Sequence, residues 1–151
     1  MSIIVKRAKV DGLEKLYSIE KECFTVEAFS KKQIASLLRH SNSICLLAQV
    51  NSEIVGFIIG LIYEKENEKI GHVLTLDVAS KARRKGVGKR LLEDLTQAFR
   101  NEGVKNCYLE VKTDNVAARE LYRKLGFVEI ERLKDFYYPG GHGIRLRKIL
   151  Q

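Results

Sequence analysis

Residues 76–92 read LDVASKARRKGVGKRLL. An apolar stretch gives way to a basic run broken by Gly86 and Gly88, and then to the leucines of a new periodic segment. The order is strand, tight turn, helix. The first turn of a helix leaves N–H groups unpaired and carries partial positive charge, so it attracts anions. Glycine lets a phosphate approach the backbone closely. Arg83, Arg84, Lys85, Lys89 and Arg90 add formal charge, and arginine can hold phosphate at two points. The spacing is not G-x-x-x-x-G-K-[ST], and it is not G-x-G-x-x-G, since Leu91 stands where the third glycine belongs. The residues alone leave two readings open: an anion-binding turn, or a basic solvated bend.

Outward from this turn the hydrophobic period sets the elements. Upstream, Ile44 to Val50, Ile54 to Tyr63 and Ile70 to Ala79 read as strands, joined at Asn51-Ser52 and at the polar stretch EKENEK, 64–69. The third has few polar interruptions and is expected at the centre of a sheet. Before them come a short strand at Ile3 to Val5 and two helices. The first is signalled by Asp11 and Glu14, the second by S-K-K-Q from Ser30, which has capping-box form. Downstream, Val87, Leu91, Leu92, Leu95, Ala98 and Phe99 mark one helical face. Val104 to Val111 alternates as a strand, and a helix from Asn115 to Leu125 ends at Gly126. A strand from Phe127, a YYPGGHG loop and a last strand to Leu150 complete the chain. The expected fold is α/β (α+β), a mixed, mostly antiparallel central sheet with helices on both faces. Its order is β-α-α-β-β-β-α-β-α-β-β, with a parallel β-α-β crossover.

The 151 residues suit one domain, residues 1–151, with 45% hydrophobic and 30% charged residues and a net charge of +8. The basic balance favours a polyanionic partner without choosing which. Cys23, Cys45 and Cys107 share no metal-ligand spacing and are odd in number, so no metal and no disulfide framework is expected. The N-terminal apolar run is too short for a signal peptide, and no stretch approaches the ~20 apolar residues of a membrane span. A cytoplasmic protein without membrane association is the expectation.

Arg83-x-x-Gly86-x-Gly88 resembles the coenzyme A-binding motif R/Q-x-x-G-x-G/A of the GCN5-related N-acetyltransferase family. EVKTDNVAARELYRKLGF (110–127) resembles the family stretch in which an Asn opens a helix and a Tyr follows seven residues later. The version is similar to the branch that acetylates protein N-termini, which includes the ribosomal-protein alanine acetyltransferases. ECFTVEAFS (22–30) and YYPGG (137–141) resemble that branch's entry segment and peptide-binding loop. The resemblance implies a single N-acetyltransferase domain, acetyl-CoA as cofactor, and a peptide or protein N-terminus as acceptor, attacked directly in a ternary complex. It leaves room for ribosome association and for a monomer or weak homodimer.

Such transfer needs a neutral amine, donors for a developing oxyanion, and a proton for the leaving thiolate. Glu110 faces away from Cys107, Leu109 and Val111, and the resemblance puts the base there. His72 is the second candidate, because an imidazole exchanges protons near neutral pH. The resemblance makes Tyr122 the acid toward sulfur and brings Asn115 to the pantetheine arm. It places Leu76, Val78 and the turn residues Arg83, Arg84, Lys85, Gly86, Val87, Gly88 and Lys89 on the cofactor. It also implies a strand bulge near Val78, whose N–H would serve the oxyanion. Phe24, Val26, Glu27 and Phe29 are expected around the first residue of the acceptor, and Tyr137 and Tyr138 along its backbone. The Pro-Trp or Pro-Glu-Asn of the entry segment and the E-D-A after YYPGG are replaced here. That puts acceptor choice in doubt.

Two other readings compete. The same chemistry could act on a lysine side chain or a polyamine. A nucleic-acid-binding module would use the basic turn on phosphates, but no aromatic-rich strand or helix-turn-helix pattern accompanies it.

Overall fold

The changes of hydrophobic period become discrete elements in the computed structural model, which describes residues 2–151. In chain order they are β1 (Ile4–Arg7), α1 (Leu13–Cys23), α2 (Lys31–Arg39), β2 (Ser43–Val50), β3 (Glu53–Lys65), β4 (Glu68–Val78), α3 (Val87–Asn101), β5 (Asn106–Lys112), α4 (Val116–Lys124), β6 (Val128–Tyr138) and β7 (Gly141–Ile149). All seven strands join one sheet in the order β1-β2-β3-β4-β5-β7-β6. Only β4 and β5 pair in parallel, through the α3 crossover; the other neighbours are antiparallel.

Two apolar layers hold the sheet. On one face α3 lays Val87, Leu91, Leu92, Leu95 and Phe99 against β2–β5, and Tyr122 and Phe127 extend that core toward β7. On the other, Leu16 and Ile19 of α1 and Ile34 of α2 cover Cys45, Leu47, Phe57 and Ile59. Phe99 packs so closely that an added Cβ at Gly60 or Gly71 would come within 2.6 or 2.7 Å of its ring.

The capping box at Ser30 forms, with Ser30 Oγ accepting from Gln33 N at 3.1 Å and Gln33 Oε1 accepting from Ser30 N at 2.8 Å. The start expected at Asp11 differs. Residues Val10–Gly12 make a tight 3-10 turn, and Gly12, with no side chain to accept, occupies the N-cap. The YYPGGHG loop also contracts: β6 runs through Tyr138 and β7 starts at Gly141. Pro139 and Gly140 alone turn the chain, because proline presets one corner and Gly140 takes φ +83° at the next.

What matters for function is where the sheet opens. β4 and β5 pair only from Ile70–Asn106 to Val73–Leu109. There β4 bulges: Ile59 opposes Thr75 and Gly60 opposes Val73, which leaves Leu74 as the extra residue. A bulge bends its strand. β4 diverges from β5 beyond it, and β5 continues alongside β7. The bulge expected near Val78 therefore lies at Leu74, opposite the glycine that gives Phe99 its room.

Candidate active site

A cavity of about 410 Å³ fills the opening between the strands. Its walls are Leu74, Thr75 and Leu76 of β4, Leu109 to Lys112 of β5, Asn115, Ala118 and Tyr122 around α4, and Tyr137 of β6. The segment after α1 closes it with Phe24, Glu27 and Phe29. Glu110 and Tyr122, far apart in sequence character, thus share one wall with Leu76, Asn115 and the acceptor candidates Phe24, Glu27, Phe29 and Tyr137. Val26 does not join them; it is 75% exposed. Tyr138 sits one step back, its hydroxyl accepting from Lys112 Nζ at 2.6 Å.

His72 stands behind Glu110, with its Nε2 2.7 Å from Glu110 Oε1. The parallel register sets His72 beside Tyr108, one pleat from Glu110. Arg145 Nε donates to the other oxygen of Glu110 at 3.0 Å. Burial raises the pKa of Glu110, but the hydrogen bonds and charges of His72 and Arg145 outweigh it and hold the carboxyl below its ordinary pKa. Glu110 is therefore a fixed anion at the cavity wall.

Tyr122 is almost fully buried and packs edge-on against Phe127, with ring centroids 6.1 Å apart. Burial, with a smaller contribution from Asp77, pushes its phenol well up, so it keeps its proton at neutral pH. Asn115 is the N-cap of α4, its Oδ1 accepting from Ala118 N at 3.2 Å, so Asp114 does not take that role. Glu27 has a buried Oε2 without a partner.

The glycine turn has the form of an anion cradle. Gly86 is the N-cap of α3 at φ +85°, and no side chain caps the helix. Arg84 is also left-handed, at φ +62°. No acidic residue occupies the first turn of α3. Gly88 faces the opening: a Cβ there would point toward Leu121, Val78 and Leu76 at 3.5 to 4.0 Å. The basic side chains divide. Arg83 donates to Val78 O at 3.0 Å and to Cys23 Sγ at 3.4 Å, and Arg90 pairs with Asp94, so both are occupied within the chain. Arg84 and Lys89 make no ion pair among the described residues. Among those residues no cluster could hold a metal ion, the three cysteines are free, and no helix is long and apolar enough to cross a membrane.

A sequence model of the acetyltransferase (GNAT) family matches residues 13–127. The chain belongs to this family. It is 36% identical over 105 residues to N-alpha-acetyltransferase 30 of Xenopus laevis, a match covering 69% of this chain and 38% of that protein. It is 33% identical over 112 residues to the N-alpha-acetyltransferase of Sulfurisphaera tokodaii, covering 68% of this chain and 67% of the relative. The matches to the vertebrate relatives span only about a third of those proteins' length, 29% to 38%. Among solved structures, Ard1 from Thermoplasma volcanium superposes with a TM-score of 0.90 at 25% identity, over 100% of this chain and 99% of that one. The mixed, mostly antiparallel sheet with helices on both faces is thus the family's fold.

The family motifs did not point to a buried acid pair beside the cavity. Glu20 and Asp77 are 1% and 0% exposed. Thr75 Oγ1 lies 2.6 Å from Asp77 Oδ1 and 3.1 Å from Glu20 Oε1, while Phe29 N donates to Glu20 Oε2 at 3.0 Å. One hydroxyl hydrogen cannot serve both carboxyls, so the pair keeps a proton. Burial, then the neighbouring Glu20, raises the pKa of Asp77 well above its ordinary value, which places that proton on Asp77. The sign for stability follows. The unfolded chain releases this proton near pH 4 and the folded protein retains it, so stability is fully present below that pH and falls as pH rises. Asp77→Asn, which is neutral at every pH, should melt higher than wild type by roughly 3 °C at pH 8, with most of the gain gone at pH 4.5. A difference in melting temperature that does not change with pH would mean that Asp77 is ionised.

Proposed function

We propose that the protein is an acetyl-CoA-dependent N-acetyltransferase acting on the α-amino group of peptide or protein N-termini, by direct attack in a ternary complex. The observation that carries this reading is the cavity, which joins the β4–β5 opening to an acceptor mouth between the α1–α2 segment and β6. The similarity to N-alpha-acetyltransferases favours an N-terminal acceptor.

The cradle fits the cofactor. The uncapped start of α3, the left-handed turn and the free Arg84 and Lys89 suit a pyrophosphate, with Lys85 beside them. The rim of β4 from Leu74 to Val78 lacks a strand neighbour on the β5 side, so its amides can pair with those of the pantetheine arm. Leu76, Val78 and Gly88 flank that path, while Val87, its side chain buried in the core, offers only its backbone at the start of α3. Acetyl-CoA supplies an acyl group already activated as a thioester. The chain's own residues do the rest. The Glu110–His72 pair takes the proton of the incoming ammonium, directly or through one water. The two groups touch, so either can pass that proton to the other. Amides of the unpaired β4 rim face the developing oxyanion, and Tyr122 donates toward the departing sulfur. Phe24, Phe29 and Tyr137 exclude water, and the unpartnered Glu27 oxygen awaits a donor from the acceptor.

The carboxylates Glu20, Glu27 and Asp114 at the same wall favour a cationic acceptor. They make transfer to lysine or a polyamine the second reading. Intact mass decides between them. Acceptors are peptides starting Ser, Ala, Met-Leu and Met-Glu, the same peptides with a blocked N-terminus and a free lysine, and spermidine. One acetyl group added to free N-termini alone is the expected result. Acetylation of blocked peptides or spermidine would move the function to the second reading.

A further inference from the structure

We propose that Arg145 is a positioning residue of this site, holding Glu110 as a carboxylate against His72 and being held in turn by Glu131. The proposal rests on the proton-accepting role given to the Glu110–His72 pair. The sheet order supplies the alignment, since β4, β5, β7 and β6 are successive neighbours. Register sets Arg145 opposite Glu110 and Glu131 opposite Arg145. Opposed residues in antiparallel strands project to one face. The result is a row of alternating charge across β5, β7 and β6 that ends on His72 of β4. Arg145 Nη1 donates to Glu131 Oε1 at 2.9 Å and Nε to Glu110 Oε2 at 3.0 Å, and Glu110 Oε1 meets His72 Nε2 at 2.7 Å.

Exposure ranks the links. The side chains of Glu110, Arg145 and Glu131 are 11%, 32% and 54% exposed. The inner contact lies where water screens little, and the outer one is a surface pair of small effect. Arg145 does two things from this place. Its planar group, bonded to two carboxylates, fixes the orientation of Glu110, which an ammonium could not do as well. Its charge opposes a proton on Glu110, which therefore stays a carboxylate beside His72. Other groups near Glu110 are the phenols of Tyr63 from β3 and Tyr137 from β6, both held protonated by burial, and that of Tyr108 from β5. Lys112, two residues along β5, turns to Tyr138. Arg145 is the one arginine or lysine bonded to Glu110 among the described residues.

The test is the acid limb of kcat/KM, with titration of the His72 ring followed by NMR in the protein without acceptor. Removing the cation in Arg145→Gln should raise both midpoints by about one pH unit and lower kcat/KM at pH 7 about threefold, with recovery at higher pH. Arg145→Lys keeps the charge and should leave the midpoints within about 0.3 unit while turnover falls severalfold. A folded Arg145→Gln protein with unmoved midpoints overturns the proposal, because a residue that only braces the sheet changes stability and not titration. If that variant does not fold, Glu131→Gln decides. Loss of a negative charge behind Arg145 should lower the midpoints by a few tenths of a unit, and a rise or no change overturns the proposal. The NMR titration needs no acceptor, so failure of the N-terminal reading leaves it intact.

Discussion

Gly86→Val is expected to weaken binding of acetyl-CoA roughly a hundredfold, with little loss of thermal stability. Gly86 sits at φ +85°, where a β-branched residue is strained by about 1–3 kcal/mol. An added Cβ meets nothing within 4 Å, so the folded protein is not blocked by a clash. The chain can relieve the strain by swinging the turn, and this displaces the uncapped N–H groups at the start of α3. At 1.4 kcal/mol per decade, the strain and one or two misdirected phosphate contacts account for a factor of about a hundred. Gly86→Asn is the control, since asparagine tolerates the left-handed region, and it should keep binding within about tenfold. Titration calorimetry with coenzyme A at fixed salt reads the effect. Wild-type affinity in a folded Gly86→Val protein would remove the turn from the cofactor site.

The turn was legible because three separate constraints coincide in it: a buried strand before, glycines within, and an amphipathic helix after. The Ser30 capping box and the φ +93° glycine at 126 were readable for the same reason, as local rules with local geometry. What escaped depends on register. Arg145 reads as one polar residue alternating with Ile144 and Leu146, and nothing along the chain says that it opposes Glu110. Asp77 reads as a polar interruption in an apolar strand until α1 brings Glu20 to it. The bulge was expected near Val78 and found at Leu74, because it follows the packing of Phe99 on Gly60, a contact between distant segments. Glu110 and His72 were rival candidates in sequence, and a pairing of β4 with β5 joins them into one unit.

Tyr122→Phe should lower kcat by about a hundredfold while the Kd for acetyl-CoA stays within about twofold. The substitution removes one hydroxyl and keeps the ring, so the edge-on contact with Phe127 and the end of α4 survive. The phenol makes no hydrogen bond among the described residues, which frees it for the cavity it lines. Burial raises its pKa above an ordinary tyrosine, hence above the ~8.5 of a thiol. Full proton transfer to a thiolate is therefore uphill. Tyr122 acts as a strong hydrogen-bond donor to sulfur as the C–S bond breaks, and the sulfur takes its proton finally from solvent. The cost of losing the hydroxyl should then depend on the leaving group. An acetyl thioester of a more acidic thiol needs less help, and with it Tyr122→Phe should lose roughly tenfold rather than a hundredfold. Equal losses with both donors would show that the hydroxyl serves packing or the acceptor, and unchanged turnover would leave Tyr122 as core alone.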